Sequence, residues 1–168
     1  MRFSITRAVV VAGAIGLSGA IGFAATTPAP MPTDPSAQAA YRDIEATLGM
    51  VPGFFKAFPE VGIAGAWGEF KSVQLNPNTA LSGKTKELIG LAVAAQIPCS
   101  YCIYFHTAAA KANGATDEET REAVAMAAIS RHWSTLLNGM QVDLTTFKKE
   151  TDSVLRMAAE KAGIATTH

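Results

Sequence analysis

From Asp34 onward the apolar residues recur at helical spacing, and each series is bracketed by a capping residue or by a proline or glycine stop. Asp34 precedes Pro35, the favoured pairing of a cap with a first helical position, and Tyr41, Ile44 and Leu48 follow before Gly49 closes the series. The turn Val51-Pro52-Gly53 leads into Phe54, Phe55 and Phe58. Pro59 then opens a helix carrying Val61, Ile63, Trp67, Phe70 and Val73 to a stop near Asn76-Pro77. A further helix runs from about Ser82 to Gln96 with Leu88, Leu91 and Ala95 along one side, and after the break at Pro98 another runs from Cys99 to about Asn113-Gly114. Thr116 with Glu119 forms a capping box ahead of Val124, Ala127, Ala128, Trp133, Leu136 and Leu137. A last helix follows Asp143, carrying Leu144, Phe147, Val154, Leu155 and Ala158. No segment reads as a strand, so the expected fold is all-α, a compact helical bundle with Phe54 and Trp67 in its core. Alanines near residues 92–95 and 108–110 permit close helix packing.

A chain of 168 residues is long enough for one well-buried core and too short to require two, since splitting begins above roughly 250 residues. The expected domain spans 34–168. Before it, Met1 to Ala24 has the three parts of a secretory signal: Arg2 and Arg7, an uncharged run from Ala8 to Leu17, and small residues at a cut after Ala24. Residues 25–33, with Pro28, Pro30 and Pro32, read as an extended linker. No arginine pair and no lipid-accepting cysteine accompanies the cut, so export by the general route, to the periplasm, is expected; an uncleaved membrane anchor is the alternative. Lys plus Arg and Asp plus Glu both number 14, and loss of Arg2 and Arg7 would leave 12 basic against 14 acidic side chains. Such a chain has no positive field with which to attract nucleic acid.

Its only two cysteines, Cys99 and Cys102, are separated by two residues, with Glu87 upstream and His106 downstream. A disulfide across so short a loop constrains little chain and stabilises little, so the pair is better suited to exchange than to stapling. On one helix Cys99, Cys102 and His106 stand at i, i+3 and i+7 and share a face, and the helix N-terminus favours the thiolate at Cys99. Glu87 belongs to the preceding helix and reaches the thiols only if the chain folds back at Ile97-Pro98. A carboxylate and an imidazole beside two thiols supply the proton transfers that thiol chemistry requires.

The run of Glu87, eleven residues, Cys99-Ser100-Tyr101-Cys102, three residues and His106 resembles the signature of the alkyl hydroperoxidase D-like branch of the carboxymuconolactone decarboxylase family, over roughly residues 37–140. The resemblance implies an all-α fold assembled as a trimer or hexamer. It implies Cys102 as the thiol that attacks a hydroperoxide, Cys99 as the resolving thiol, and Glu87 with His106 as the proton relay. An external thiol or protein reductant would complete the cycle. Tyr101 stands where peroxidases of this type often have histidine, and an exported protein would not meet the family's cytosolic reductants.

Other readings stay open. A general dithiol/disulfide oxidoreductase uses the same pair without a peroxide, and the lactone decarboxylation for which the family is named leaves the pair unexplained. No nucleotide, flavin or haem motif is visible, so no cofactor is expected and the dithiol itself is the redox group. Zinc held by both sulfurs and His106 would need Glu87 or His132 as a fourth ligand. His132, beside Trp133, reads as a partly buried histidine organising a helix interface, and Arg131 as a salt-bridge partner.

Overall fold

The structure, a computed structural model, describes residues 32–163; the expected signal segment and residues 25–31 of the expected linker lie outside them. The described residues are helical, with no strand among them. Helix α1 spans Pro35–Leu48, capped by Asp34, whose carboxylate accepts from the backbone of Ser36 and Ala37. It ends at Gly49 with φ of 82°, a left-handed closure that suits glycine. Thr33 is tied to this unit, its backbone N–H donating to Glu60 at 3.0 Å, so packing begins just ahead of the expected boundary.

Where the sequence suggests only a turn, Gly53–Lys56 forms a short helix, α2. Helix α3, Glu60–Glu69, passes into a π-helical turn over Phe70–Gln74 in which Leu75 N–H reaches back five residues to Phe70 O at 3.1 Å. Ala37, Ala40, Ile44, Phe55, Ile63 and Trp67 form the core of this first unit. Trp67, 3% exposed, donates its indole N–H to Asp43 at 2.6 Å, which satisfies the one polar atom the ring carries inward. Phe54 is not core as expected: it is exposed, because the α2 turn directs the next residue, Phe55, inward against Trp67. Val61 and Val73 are exposed as well.

The second unit is built on α4, Gly83–Gln96, with α5, Ser100–Ala112, and α6, Asp117–Gly139, packed on it. Each contributes a buried alanine, Ala94, Ala110 and Ala127, and the small side chains permit the close approach the sequence suggests. Both ends of α4 are fastened to α6. Lys84 meets Glu119 at 2.7 Å, while the Gln96 amide donates to the Ala127 carbonyl and accepts from Arg131 Nε at 2.7 Å. Arg131 therefore serves as a donor to a neutral amide and not as the expected salt-bridge partner. Thr116 and Glu119 form the expected capping box.

Only a narrow seam joins the two units. Phe70 meets Phe105 with ring centroids 6.1 Å apart, and Lys86 donates to the carbonyls of Val73 and Asn76 at 2.6 and 2.7 Å. The final helix, α7, Leu144–Lys161, is capped by Asp143 and contains no buried residue. Its apolar stripe through Leu144, Phe147, Val154 and Leu155 is exposed, as are Trp133 and Leu136 on α6. Their helical periodicity is real, but within one chain no described element covers them. No helix of the described residues is long and apolar enough to cross a membrane.

Candidate redox site

The chain does fold back after α4. Ile97 N–H donates to Val93 O at 3.2 Å and Cys99 N–H to Ala94 O at 3.1 Å, turning the backbone so that α5 returns along α4. Cys99 becomes the cap of α5, its sulfur accepting from Cys102 N–H at 3.2 Å. A sulfur at this position faces the unpaired N–H groups and positive end of the helix, which stabilise negative charge on it. Cys99 and Cys102 are joined as a disulfide with an S–S distance of 2.03 Å.

One turn beyond Cys102, on the same face, His106 projects toward α4. Its Nδ1 lies 2.7 Å from Oε2 of Glu87, whose residue is only 4% exposed. A carboxylate so buried must recover in hydrogen bonds what it loses in hydration. It finds two partners: the His106 ring and the amide of Gln74, which donates at 3.1 Å to Oε1 and 3.4 Å to Oε2. The solvated or ion-paired position available to a glutamate between Lys86 and Leu88 is therefore not the one it occupies. Among the described residues no buried side-chain polar atom lacks a partner.

If Nδ1–H is donated to Glu87, the ring's Nε2 is left with a free lone pair. Such a histidine can take a proton at Nε2 while the carboxylate holds the charge that forms. Glu87 and His106 thus make a donor–acceptor chain ending one helical turn from a sulfur. The carboxylate's own hydrogen bonds go to His106 and Gln74, so its link to the thiol end of the site runs through the imidazole.

Two further residues, Gln74 and Gly90, belong to the site although no motif in the sequence marks them. A Cβ built on Gly90 would overlap the His106 ring, standing 2.8 Å from its Cγ and closer still to Nδ1 and Cε1. Gly90 lies three residues after Glu87 in the middle of α4, and an isolated glycine in a helix interior is the one available signal that something packs closely there. Gln74 offers no comparable signal, because the π turn that aims it is not a periodicity feature.

Tyr101, between the cysteines, is 90% exposed, and Tyr104 is exposed beside it. His132 is exposed too, edge-on to Trp133 with centroids 5.5 Å apart, and not the partly buried interface residue expected. Among the described residues no group of three or more His, Cys, Asp or Glu side chains is arranged to hold a metal ion.

Comparison with known proteins adds to this geometry. Residues 62–143, a range containing Glu87, Cys99, Cys102 and His106, match the carboxymuconolactone decarboxylase family. A protein described as uncharacterized protein 4 in the cox locus of Paracoccus denitrificans is 44% identical over 52 residues, 31% of this chain, and the match spans 47% of that protein's length. The crystal structure of the alkylhydroperoxidase AhpD core from Rhodospirillum rubrum is similar with a TM-score of 0.58 and 29% sequence identity, covering 71% of this chain and 94% of that one.

Proposed function

We propose, for a chain that belongs to the carboxymuconolactone decarboxylase family in its alkyl hydroperoxidase D-like branch, the activity of a thiol-dependent hydroperoxide reductase. The observation that carries the reading is the Glu87–His106 contact, 2.7 Å across from α4 to α5, with His106 on the same face of α5 as Cys102 of the Cys99–Cys102 disulfide. In the reduced protein, Nε2 of His106 accepts the Cys102 thiol proton, and Glu87 stabilises the imidazolium. The Cys102 thiolate attacks the terminal oxygen of a hydroperoxide and the O–O bond breaks. Sulfur is oxidised to the sulfenic acid, and the departing alkoxide takes its proton from His106 and leaves as an alcohol. The Cys99 thiolate, favoured at the helix cap, then attacks the sulfenic sulfur and closes the disulfide. Hydroxide departs with a proton as water. An external dithiol restores both thiols and is itself oxidised to a disulfide.

A second reading is general dithiol/disulfide exchange. The Cys99 cap favours it, since a stabilised thiolate is a good leaving group, and so does Tyr101, which offers no imidazole beside Cys102. Export to the periplasm belongs to the proposal on the strength of the N-terminal sequence pattern. A homo-oligomer, trimer or hexamer, belongs to it on the strength of the family resemblance and the exposed apolar stripe of α7.

The test mixes reduced full-length protein with an organic hydroperoxide and follows it by stopped flow and intact mass. The wild type is expected to form the Cys99–Cys102 disulfide, and Cys99→Ser to accumulate a trappable sulfenic acid at Cys102. Thiols inert to hydroperoxide but quick to exchange with a disulfide would move the reading to an oxidoreductase. Full peroxide reactivity in Cys102→Ser would sink the assignment of Cys102.

A further inference from the structure

The carboxylate of Glu87 has two oxygens to satisfy and a single histidine to orient. What fixes which oxygen faces that histidine is a residue from the other packing unit. Gln74 is the last residue of the π-helical turn and donates to Oε1 at 3.1 Å and Oε2 at 3.4 Å, leaving Oε2 to approach His106 Nδ1 at 2.7 Å. We infer that Gln74 is a positioning residue that holds the Glu87 carboxylate in register with His106, and that the π turn exists at this point in the chain to aim it.

Three observations support the inference. The π turn inserts one residue into the helical repeat, which rotates the residues after it by about 100° relative to a regular continuation. Such a turn is stabilised here from outside, because Lys86 donates to the carbonyls of Val73 and Asn76 and so draws the end of the turn against α4 beside Glu87. The same contacts turn the Lys86 ammonium toward backbone carbonyls, and Lys84 is paired with Glu119. The donor that reaches the carboxylate beside His106 is thus a neutral amide and not a lysine. A lysine in that place would neutralise Glu87 and weaken its hold on the imidazolium, whereas an amide satisfies an oxygen and leaves the charge available. The role of Gln74 in a proton relay rests on the proposed peroxidase reading; its hold on the Glu87–His106 pair does not.

The test is nitrogen-15 NMR of the full chain with selective histidine and glutamine labelling, which reads the geometry without any turnover. In the wild type the Gln74 side-chain amide signals are expected to move with the same midpoint as His106, and the two ring nitrogens of neutral His106 to show the separated shifts of one fixed tautomer. In Gln74→Met, which keeps length and removes the donor, the two ring shifts are expected to converge as the tautomers mix. Gln96→Met, which removes an amide donor at the other end of α4, is expected to leave them separated. A Gln74 amide silent through the His106 titration in the wild type, or unchanged ring shifts in Gln74→Met, would overturn the inference. The wild-type arm decides the matter even where Gln74→Met fails to fold. Ring nitrogens that respond to Gln74→Met in a protein whose thiols ignore hydroperoxide would uphold the positioning role and remove the peroxidase reading alone.

Discussion

Gly90 leaves room for the imidazole of His106: a methyl group on this residue of α4 would overlap the ring that Glu87 holds from one turn earlier on the same helix. The pairing of carboxylate and imidazole depends on that missing side chain as much as on the two groups themselves.

Gly90→Ala is accordingly expected to push His106 off Glu87. On helix propensity alone the change would favour folding by about 1 kcal/mol, so a loss of function would not stem from a weaker helix. The rate of hydroperoxide-driven disulfide formation is expected to fall on the order of 10²-fold, the usual worth of a positioned acid–base group. Stopped-flow fluorescence checks it, and a wild-type rate would show that His106 needs no such room.

Ile63 is fully buried in the first unit beside Trp67 and Phe55. Ile63→Ala should destabilise the protein by about 2–5 kcal/mol, since it removes buried surface and leaves a cavity that close-packed aromatic rings fill poorly. Urea denaturation measures this. A cost below about 1 kcal/mol would mean that the unit collapses around the gap.

Acid should loosen the α1–α3 contact at Asp43. Hydrogen bonds from Lys71 and then from Trp67 hold its carboxyl below the ordinary value of 3.8. Because the folded value is the lower one, the stabilisation is fully present above pH 3.8 and is lost as pH falls through the folded value. Asp43→Asn, which keeps an acceptor but does not titrate, is expected to show a shallower fall of thermal midpoint below pH 4 than the wild type. Parallel curves for the two proteins would rule Asp43 out as a contributor.

The proposed homo-oligomer is expected to form through the exposed stripe of α7. Phe147→Glu combined with Leu155→Glu should shift the protein toward monomer in sedimentation velocity with the helical circular dichroism retained, because neither residue is buried within its own chain. An unchanged sedimentation coefficient in a protein that is oligomeric before mutation would exclude this face from the interface.

Short-range chemistry makes much of this protein legible in its amino-acid order alone. The caps at Asp34, Ser82, Thr116 and Asp143 act within three residues of themselves, and each begins a helix where the sequence indicates. Cys99, Cys102 and His106 share a face because one helix carries them all, so spacing alone aligns them. Other relationships belong to tertiary structure. Phe54 and Phe55 are chemically equal neighbours, and only the α2 turn decides which one packs on Trp67. An apolar stripe shows that a helix face seeks cover without saying what covers it, which is why the periodicity of α7 suggests a core helix and the helix nonetheless lies outside the core. Glu87 meets His106, 19 residues away, through the return at Ile97-Pro98, and Gln74 and Gly90 join them through a π turn and a missing side chain. Periodicity is a property of one helix, whereas a site is made where two helices and a turn come within hydrogen-bond reach, and that distance is set by packing.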